Sequence, residues 1–164
     1  MIVQGWASTP ELDTSGHIVL PSAYATSINR RGLQGPQGVK FLFAHDPRKP
    51  IGHITKLEVR NDGLWIEADI DEGISYGRDI ALATKAQGGL NFSVGFYPVD
   101  WYFNSDEWPV FTEVDLDEVS LVVFPANEGA QMSATEKAKD PIDQTLANLL
   151  RLQATLEALK GSAQ

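Results

Sequence analysis

Ser93 is the residue of this chain whose surroundings most suggest chemistry. It lies in a strand-like segment in which large apolar side chains alternate with small polar ones: Asn91-Phe92-Ser93-Val94-Gly95-Phe96. Successive residues of a strand point to opposite faces, so Ser93 shares its face with Asn91 and Gly95. Gly95 leaves room beside the hydroxyl for another backbone or a substrate. Such a serine is a nucleophile if a base reaches it, and otherwise a hydrogen-bonding residue at a strand edge.

His45 is the best placed base among the three histidines of the chain. His17 follows a glycine at a predicted turn, and His53 lies at the start of a predicted strand. His45 ends the apolar segment 39–45 and precedes Asp46-Pro47, so we expect it at the rim of a sheet. An imidazole with a pKa of about 6.5 suits the removal of a proton from serine. A structural role for His45 is the alternative.

Glu118 is the acid that best complements this pair. It precedes the nearly all-apolar segment 119–124, which is typical of a strand covered on both faces. A carboxylate at the start of such a strand needs a partner, or its pKa rises. An imidazole N–H is a suitable partner, and the acid would orient it. Asp46, Asp115 and Asp117 are the other candidates for this role, and a solvated strand-end Glu is the alternative for Glu118.

Composition excludes several classes of protein. The chain has 164 residues, a net charge of −9 and no cysteine. This length suits one domain, and the negative charge argues against nucleic-acid binding. Disulfides and Cys-ligated metals are excluded, no glycine-rich phosphate motif occurs, and we expect neither a metal nor another cofactor. No apolar run is long enough to span a membrane, and the first residues predict no secretory signal.

The hydrophobic patterns predict a β-rich α+β domain. The predicted strands are 2–7, 39–45, 51–60, 64–70, 91–103, 110–114 and 118–124, and the predicted helices are 22–29 and 74–87. Asn61-Asp62-Gly63 predicts a tight hairpin, and Gly88-Gly89 ends the second helix. Since the strands must pair over long sequence separations, we expect a closed barrel of about seven strands.

Composition changes after residue 132, which predicts the domain boundaries. Residues 1–132 are the main domain, residues 133–139 are a polar linker, and residues 140–161 are an amphipathic C-terminal helix. Asp140 is a suitable N-cap, and Pro141 follows at the first helical position. The apolar stripe of this helix needs a cover, which is either the main domain or a second copy of the chain.

Six short segments follow one another in a specific order. They are Gly5-Trp6-Ala7-Ser8-Thr9; Phe43-Ala44-His45-Asp46-Pro47; Pro50-Ile51-Gly52; Asp62-Gly63-Leu64; Phe92-Ser93-Val94-Gly95-Phe96; and Glu118-Val119-Ser120-Leu121-Val122 with Phe124-Pro125-Ala126-Asn127. In this order they resemble the prohead (capsid-maturation) serine proteases of tailed phages, the HK97 type. The resemblance covers about residues 2–130.

The resemblance implies a fold like that of herpesvirus assemblin, a β-barrel surrounded by helices. It implies Ser93 as nucleophile, His45 as base and Glu118 as third member, with an acid replacing the second histidine of the herpesvirus enzymes. Asp46 is a rival to Glu118, although neighbours on a strand point apart. The resemblance also places oxyanion donors in the loop after the last strand, namely the backbone N–H groups of Ala126 or Asn127.

The implied substrates are the scaffolding segment of the major capsid protein and the protease itself. Cleavage would take place inside the assembling procapsid in the host cytoplasm, without nucleic acid or membrane as a direct partner. Two other functions remain open. The same fold could be a catalytically inactive assembly module. A carbohydrate- or lipid-binding barrel would instead need an aromatic pocket, for which the available residues are Trp65, Trp101, Tyr102 and Trp108.

Overall fold

The computed structural model describes residues 1–135. Within this part the chain forms nine strands and two α-helices. The strands are β1 (Ile2–Ser8), β2 (Ile18–Val19), β3 (Lys40–Phe43), β4 (Asp46–Pro50), β5 (Gly52–Arg60), β6 (Gly63–Ile70), β7 (Asn91–Phe103), β8 (Pro109–Val122) and β9 (Met132–Thr135). The helices are α1 (Ala25–Arg31), which continues a 3-10 helix (Pro21–Tyr24), and α2 (Ser75–Gln87). The predicted helix 140–161 and most of the predicted linker lie outside the described residues.

Several predicted elements are confirmed. The hairpin of β5 and β6 closes with Arg60 opposite Gly63, as its Asn-Asp-Gly turn predicts. Helix α2 ends at Gly88, whose φ of 74° is the left-handed conformation of a helix C-cap. The linker prediction differs from the structure at its start, because residues 133–135 continue β9 and pair with β1.

The strands form two sheets, and the expected closed barrel of about seven strands is not confirmed within residues 1–135. The first sheet has the order β5-β6-β1-β9. In the second sheet β8 is central, with β7 on one side, β2 and β3 on the other, and β4 beside β3. One buried cluster with side chains from both sheets joins them. The sheets also meet through the backbone, because Asn91 at the start of β7 bridges Gln131 beside β9 and the Phe92 N–H donates to the Ala130 carbonyl at 2.8 Å.

Strand β8 is one strand, whereas the sequence predicted two separate strands, 110–114 and 118–124. Leu116 is fully buried, while Asp115 and Asp117 on either side of it point away from the core and pair with arginines of α1. Hydrogen bonds from Arg31 and then Arg30 lower the pKa of Asp115 to about 2. The pairing with β7 shifts at Asp117, because Gly95 lies opposite Glu118 and Phe96 opposite Leu116. The core-facing residues therefore change from Val114 and Leu116 to Val119 and Leu121. Glu118 lies inside the strand, where the sequence predicted a strand start.

Candidate active site

Strand β7 positions Ser93 against the centre of the second sheet. Ser93 lies directly opposite Ser120 of β8, in the antiparallel register of the two strands. The neighbouring Phe92 is fully buried, and Val94 packs against the same core. The apolar face of β7 is thus anchored, and the Ser93 hydroxyl lies on the opposite, half-buried face.

His45 lies in a two-residue turn that joins β3 to β4. The sequence placed it at the end of a strand, but Asp46 already begins β4. Ala44 and His45 have φ of 54° and 57°, a turn conformation that suits tight hairpins but costs non-glycine residues about 1 kcal/mol each. Strand β8 holds the turn, because Ala44 N–H donates to Leu121 O (2.9 Å) and His45 N–H donates to Ser120 Oγ (3.0 Å).

Three side chains meet in a continuous line of hydrogen bonds. His45 Nε2 is 3.0 Å from Ser93 Oγ, and His45 Nδ1 is 2.6 Å from Glu118 Oε1. With a neutral imidazole, Nδ1–H donates to the carboxylate and Nε2 accepts from the serine hydroxyl. The Glu118 side chain is only 11% exposed, whereas that of His45 is 44% exposed. The structure therefore brings together the three residues that the sequence singled out.

The carboxylate makes the imidazole a stronger base. The hydrogen bond with Glu118 is the main reason why the pKa of His45 lies above its ordinary value of 6.5. Partial burial opposes the rise, and the negative charge of Glu118 adds to it. The same interaction favours the charged form of the imidazole over the neutral one.

Ser120 also contacts these residues, although the sequence analysis did not predict it as a site residue. Its side chain is fully buried. Its Oγ accepts the His45 backbone N–H and donates to Glu118 Oε2, at 2.6 Å. Both oxygens of the Glu118 carboxylate are therefore engaged, one by the imidazole and one by a hydroxyl. The available signal was strand alternation, which places Ser120 on the same face as Glu118.

The space at Gly95 has a different use from the one expected. We expected it to admit a substrate backbone, but the structure fills it with the Glu118 carboxylate. Gly95 and Glu118 are cross-strand partners, and a Cβ built on Gly95 would lie 2.1 Å from Glu118 Oε1. The expectation was therefore wrong. Position 95 needs a residue without a side chain because the Glu118 carboxylate passes through that space to reach His45.

The rival carboxylates have other partners. Asp46 accepts hydrogen bonds from Arg48 Nε (2.9 Å) and Nη2 (3.1 Å), and these hydrogen bonds hold the pKa of Asp46 below its usual range. Asp115 and Asp117 pair with the arginines of α1, on the far side of β8 from the core. Glu118 is thus the acid in contact with His45 in the described part of the chain.

Ala126 and Asn127 line a small cavity, of about 40 Å³, together with Ser93. The Asn127 side chain fixes their loop, because Oδ1 accepts from the Thr9 N–H (3.0 Å) and from the Thr9 hydroxyl (2.9 Å). The Ala126 carbonyl accepts from the Thr14 N–H at 2.9 Å. The N–H groups of Ala126 and Asn127 have no protein acceptor within residues 1–135, so both are free to donate to a ligand.

The other candidate features lie apart from this line. His17 borders the same cavity and lies 3.8 Å from Asp13, while His53 is an exposed residue of β5. Trp65 packs against Trp6 in the first sheet. The other aromatic residues considered for a pocket, Trp101, Tyr102 and Trp108, lie on β7 of the second sheet or in the turn after it. Residues 1–135 contain no group of three His, Asp or Glu side chains that could hold a metal ion. None of the helices in this part is long and apolar enough to span a membrane.

Known proteins with similar sequences are phage proteins. The chain is 32% identical over 130 residues to the prohead protease of Escherichia phage T5, covering 77% of this chain and 59% of that protein. It is 29% identical over 146 residues to the prohead protease of Enterobacteria phage HK97, covering 87% and 63%. It therefore spans less than two thirds of either relative. A capsid polyprotein of Pseudomonas phage PAJU2 is 25% identical over 142 residues, covering 82% of this chain and 20% of the polyprotein.

The fold has a counterpart among solved structures. The crystal structure of KSHV protease in complex with a hexapeptide phosphonate inhibitor matches with a TM-score of 0.50 and 12% identity, over 84% of this chain and 65% of that one. At this identity the likeness concerns the fold, and it confirms the expected similarity to the herpesvirus proteases. The profile of the caudovirus prohead serine protease family matches residues 3–145. The chain therefore belongs to the caudovirus prohead serine protease family.

Proposed function

We propose that this chain is a serine endopeptidase of phage capsid maturation, with Ser93 as nucleophile, His45 as general base and Glu118 as the acid behind the base. The observation that carries the proposal is the line of hydrogen bonds from Ser93 Oγ through both ring nitrogens of His45 to Glu118 Oε1. Family membership supports the same reaction.

In the proposed mechanism, His45 Nε2 takes the proton of Ser93 Oγ as the oxygen attacks a peptide carbonyl. The imidazolium is stabilised by Glu118 and then gives its proton to the leaving amine. Water, activated by the same imidazole, attacks the acyl-enzyme, releases the new carboxyl end and restores Ser93. Each step uses only the side chains described and needs no cofactor.

The negative charge on the carbonyl oxygen needs hydrogen-bond donors, and loss of one such donor costs about 3 kcal/mol in other proteases. We assign this role to the backbone N–H groups of Ala126 and Asn127. Their support is that both residues border the cavity containing Ser93 and that neither N–H has a protein acceptor within residues 1–135. The side-chain hydrogen bonds of Asn127 to Thr9 keep the loop in place.

The proposed substrates are the scaffolding segment of the capsid protein and the protease itself, cleaved within the procapsid in the host cell. One relative is a capsid polyprotein, and the matched part forms a fifth of it, which supports a capsid protein as the partner. The other two relatives are prohead proteases.

The decisive experiment expresses the chain with the capsid protein of the same phage and follows capsid-protein trimming on gels and by mass spectrometry. Ser93→Ala should abolish trimming. Ser27→Ala is the matched control, because Ser27 is a buried serine on α1, away from the site. A fluorophosphonate should add to the unaltered chain at Ser93 and not to Ser93→Ala. Trimming at the unaltered rate with Ser93→Ala would refute Ser93 as the nucleophile, whereas an unaltered chain that neither trims the capsid protein nor reacts with the fluorophosphonate would favour a catalytically inactive assembly module.

A further inference from the structure

The outer half of β7 carries a row of large apolar side chains in solvent. All residues from 97 to 103 are exposed. Five large ones are between 49% and 67% exposed: Tyr97, Val99, Trp101, Tyr102 and Phe103. Trp108 follows beyond the turn, 41% exposed. Soluble proteins seldom leave so many neighbouring apolar side chains exposed unless the surface binds something.

The same half of β7 has an unused edge. From Ser93 to Phe103 the strand pairs with β8 and with no other strand among residues 1–135. Edge strands offer free backbone groups to an incoming segment of another chain. Pro98, which lacks an N–H, and the irregular pairing around Asp100 interrupt this edge and discourage uniform pairing of long strands.

The charge of this region is one-sided. The segment 97–114 contains four acids and no lysine or arginine: Asp100, Asp106, Glu107 and Glu113. Asp100 and Glu113 are cross-strand partners, so two negative charges lie side by side. None of the four forms an ion pair within residues 1–135, in contrast to Asp115, which is paired with arginines. A second copy of the chain would bring the same acids to the surface and is disfavoured by repulsion.

We propose that the outer part of the β7–β8 hairpin, residues 97–108, is a docking surface for a partner segment in which lysine or arginine residues alternate with apolar ones. The apolar side chains would cover the exposed aromatic row, and the cations would neutralise the acids. Tyr97 follows Ser93 by four strand residues, about 13 Å. A segment docked here therefore lies beside the candidate active site without using its side chains, so the inference does not depend on catalysis.

The test measures binding of labelled synthetic peptides to Ser93→Ala by fluorescence anisotropy, so that no cleavage interferes. The probes are a peptide of alternating lysine and valine, one of alternating glutamate and valine, and one of alternating lysine and serine. We expect the lysine–valine peptide to bind about tenfold more tightly than either of the others, because both charge and apolar contact are required. Equal binding of the lysine–serine peptide would overturn the proposal, since charge alone would then explain the affinity.

Variants locate the surface. Tyr97→Ser combined with Phe103→Ser should weaken binding of the lysine–valine peptide about tenfold. Leu82→Ser is the matched control, because Leu82 is 58% exposed on α2, and it should leave binding unchanged.

Hydrogen exchange of Ser93→Ala gives a second measurement that needs no hairpin variant. The bound lysine–valine peptide should slow exchange in residues 97–108 and not in β5. Binding that protects β5 instead, or that the Tyr97 and Phe103 substitutions leave unaltered, would refute this surface.

Discussion

Gly95 of β7 and Glu118 of β8 face each other across the sheet, and the carboxylate occupies the space that a side chain at position 95 would need. A Cβ there would lie 2.1 Å from Oε1, the oxygen that is hydrogen-bonded to His45. The absence of a side chain at position 95 of β7 thus allows the Glu118 side chain of β8 to lie beside His45.

Gly95→Ala should therefore displace Glu118 and loosen the hold on His45. Since a misplacement of about 1 Å in a catalytic group costs on the order of 100-fold in rate, we expect kcat to fall by about that factor while the chain still folds. The measurements are single-turnover peptide cleavage and circular dichroism.

Gly73→Ala provides the matched control, because its Cβ would meet only the side chain of Asp71, at 3.0 Å. Its rate should stay at the unaltered level. If Gly95→Ala cleaved as fast as Gly73→Ala, the proposed dependence of the acid on this space would be wrong.

Ser120→Ala should lower both stability and activity. It removes the acceptor of the His45 N–H and the donor to Glu118 Oε2 in a fully buried place. A buried polar group left without its partner costs about 1–3 kcal/mol. Urea unfolding should show a loss of this size, and kcat should fall with little change in KM.

Ser27→Ala separates the two effects. Ser27 is also buried, and its hydroxyl donates to the Tyr24 carbonyl, outside the site. We expect a comparable loss of stability with unaltered kcat. A loss of kcat equal to that of Ser120→Ala would mean that stability alone accounts for the effect at Ser120.

The pH dependence of cleavage should report the contact between His45 and Glu118. Only the neutral imidazole accepts the serine proton, so kcat/KM should rise with pH as His45 loses its own. Because the hydrogen bond with Glu118 raises the pKa of His45, the midpoint of this rise should lie above 6.5. Glu118→Gln removes the charge, so the midpoint should move to lower pH while the plateau drops by about 100-fold or more.

Asp46→Asn tests the rival acid in the same pH series. Asp46 bonds Arg48 and not the imidazole, so both the midpoint and the plateau should stay close to those of the unaltered chain. A shifted midpoint in Asp46→Asn, with none in Glu118→Gln, would reverse the assignment of the acid.

Ala44→Gly should stabilise the chain. Ala44 has a φ of 54°, a conformation that glycine adopts without the steric cost paid by alanine, so unfolding should become harder by about 1 kcal/mol. Urea denaturation measures this directly. Phe43→Gly, on the neighbouring strand residue, is the contrasting variant and should destabilise. Lower stability of Ala44→Gly would show that the turn is not strained as described.

Local sequence patterns were sufficient to predict those elements whose structure depends on one segment of the chain. Alternation around Ser93 and the Asn-Asp-Gly turn predicted β7 and the β5–β6 hairpin, since each depends on neighbours in sequence. The turn at Ala44-His45 was not predicted, because it lacks the glycine or asparagine that usually marks such turns. Its hydrogen bonds to β8, a distant segment, stabilise it instead.

The errors at β8 have the same origin. The sequence predicted two strands, 110–114 and 118–124, where the structure has one, and Arg31 of α1 forms ion pairs with Asp115 and Asp117 between them. Likewise, Glu118 fills the space at Gly95 because of the register of β7 against β8. That register cannot be predicted from either segment alone.

Strand β8 carries Glu118 and Ser120, pairs with β7 next to Ser93, and holds the turn of His45 through β3. β7 and β8 form a hairpin, whereas β3 and β8 are far apart in the sequence, and contacts of the second kind form slowly during folding. A chain still emerging from the ribosome lacks β8 and with it the acid and the anchor of the base. The serine, the histidine and the acid can therefore meet only after β8 has been synthesised and has paired with both β7 and β3.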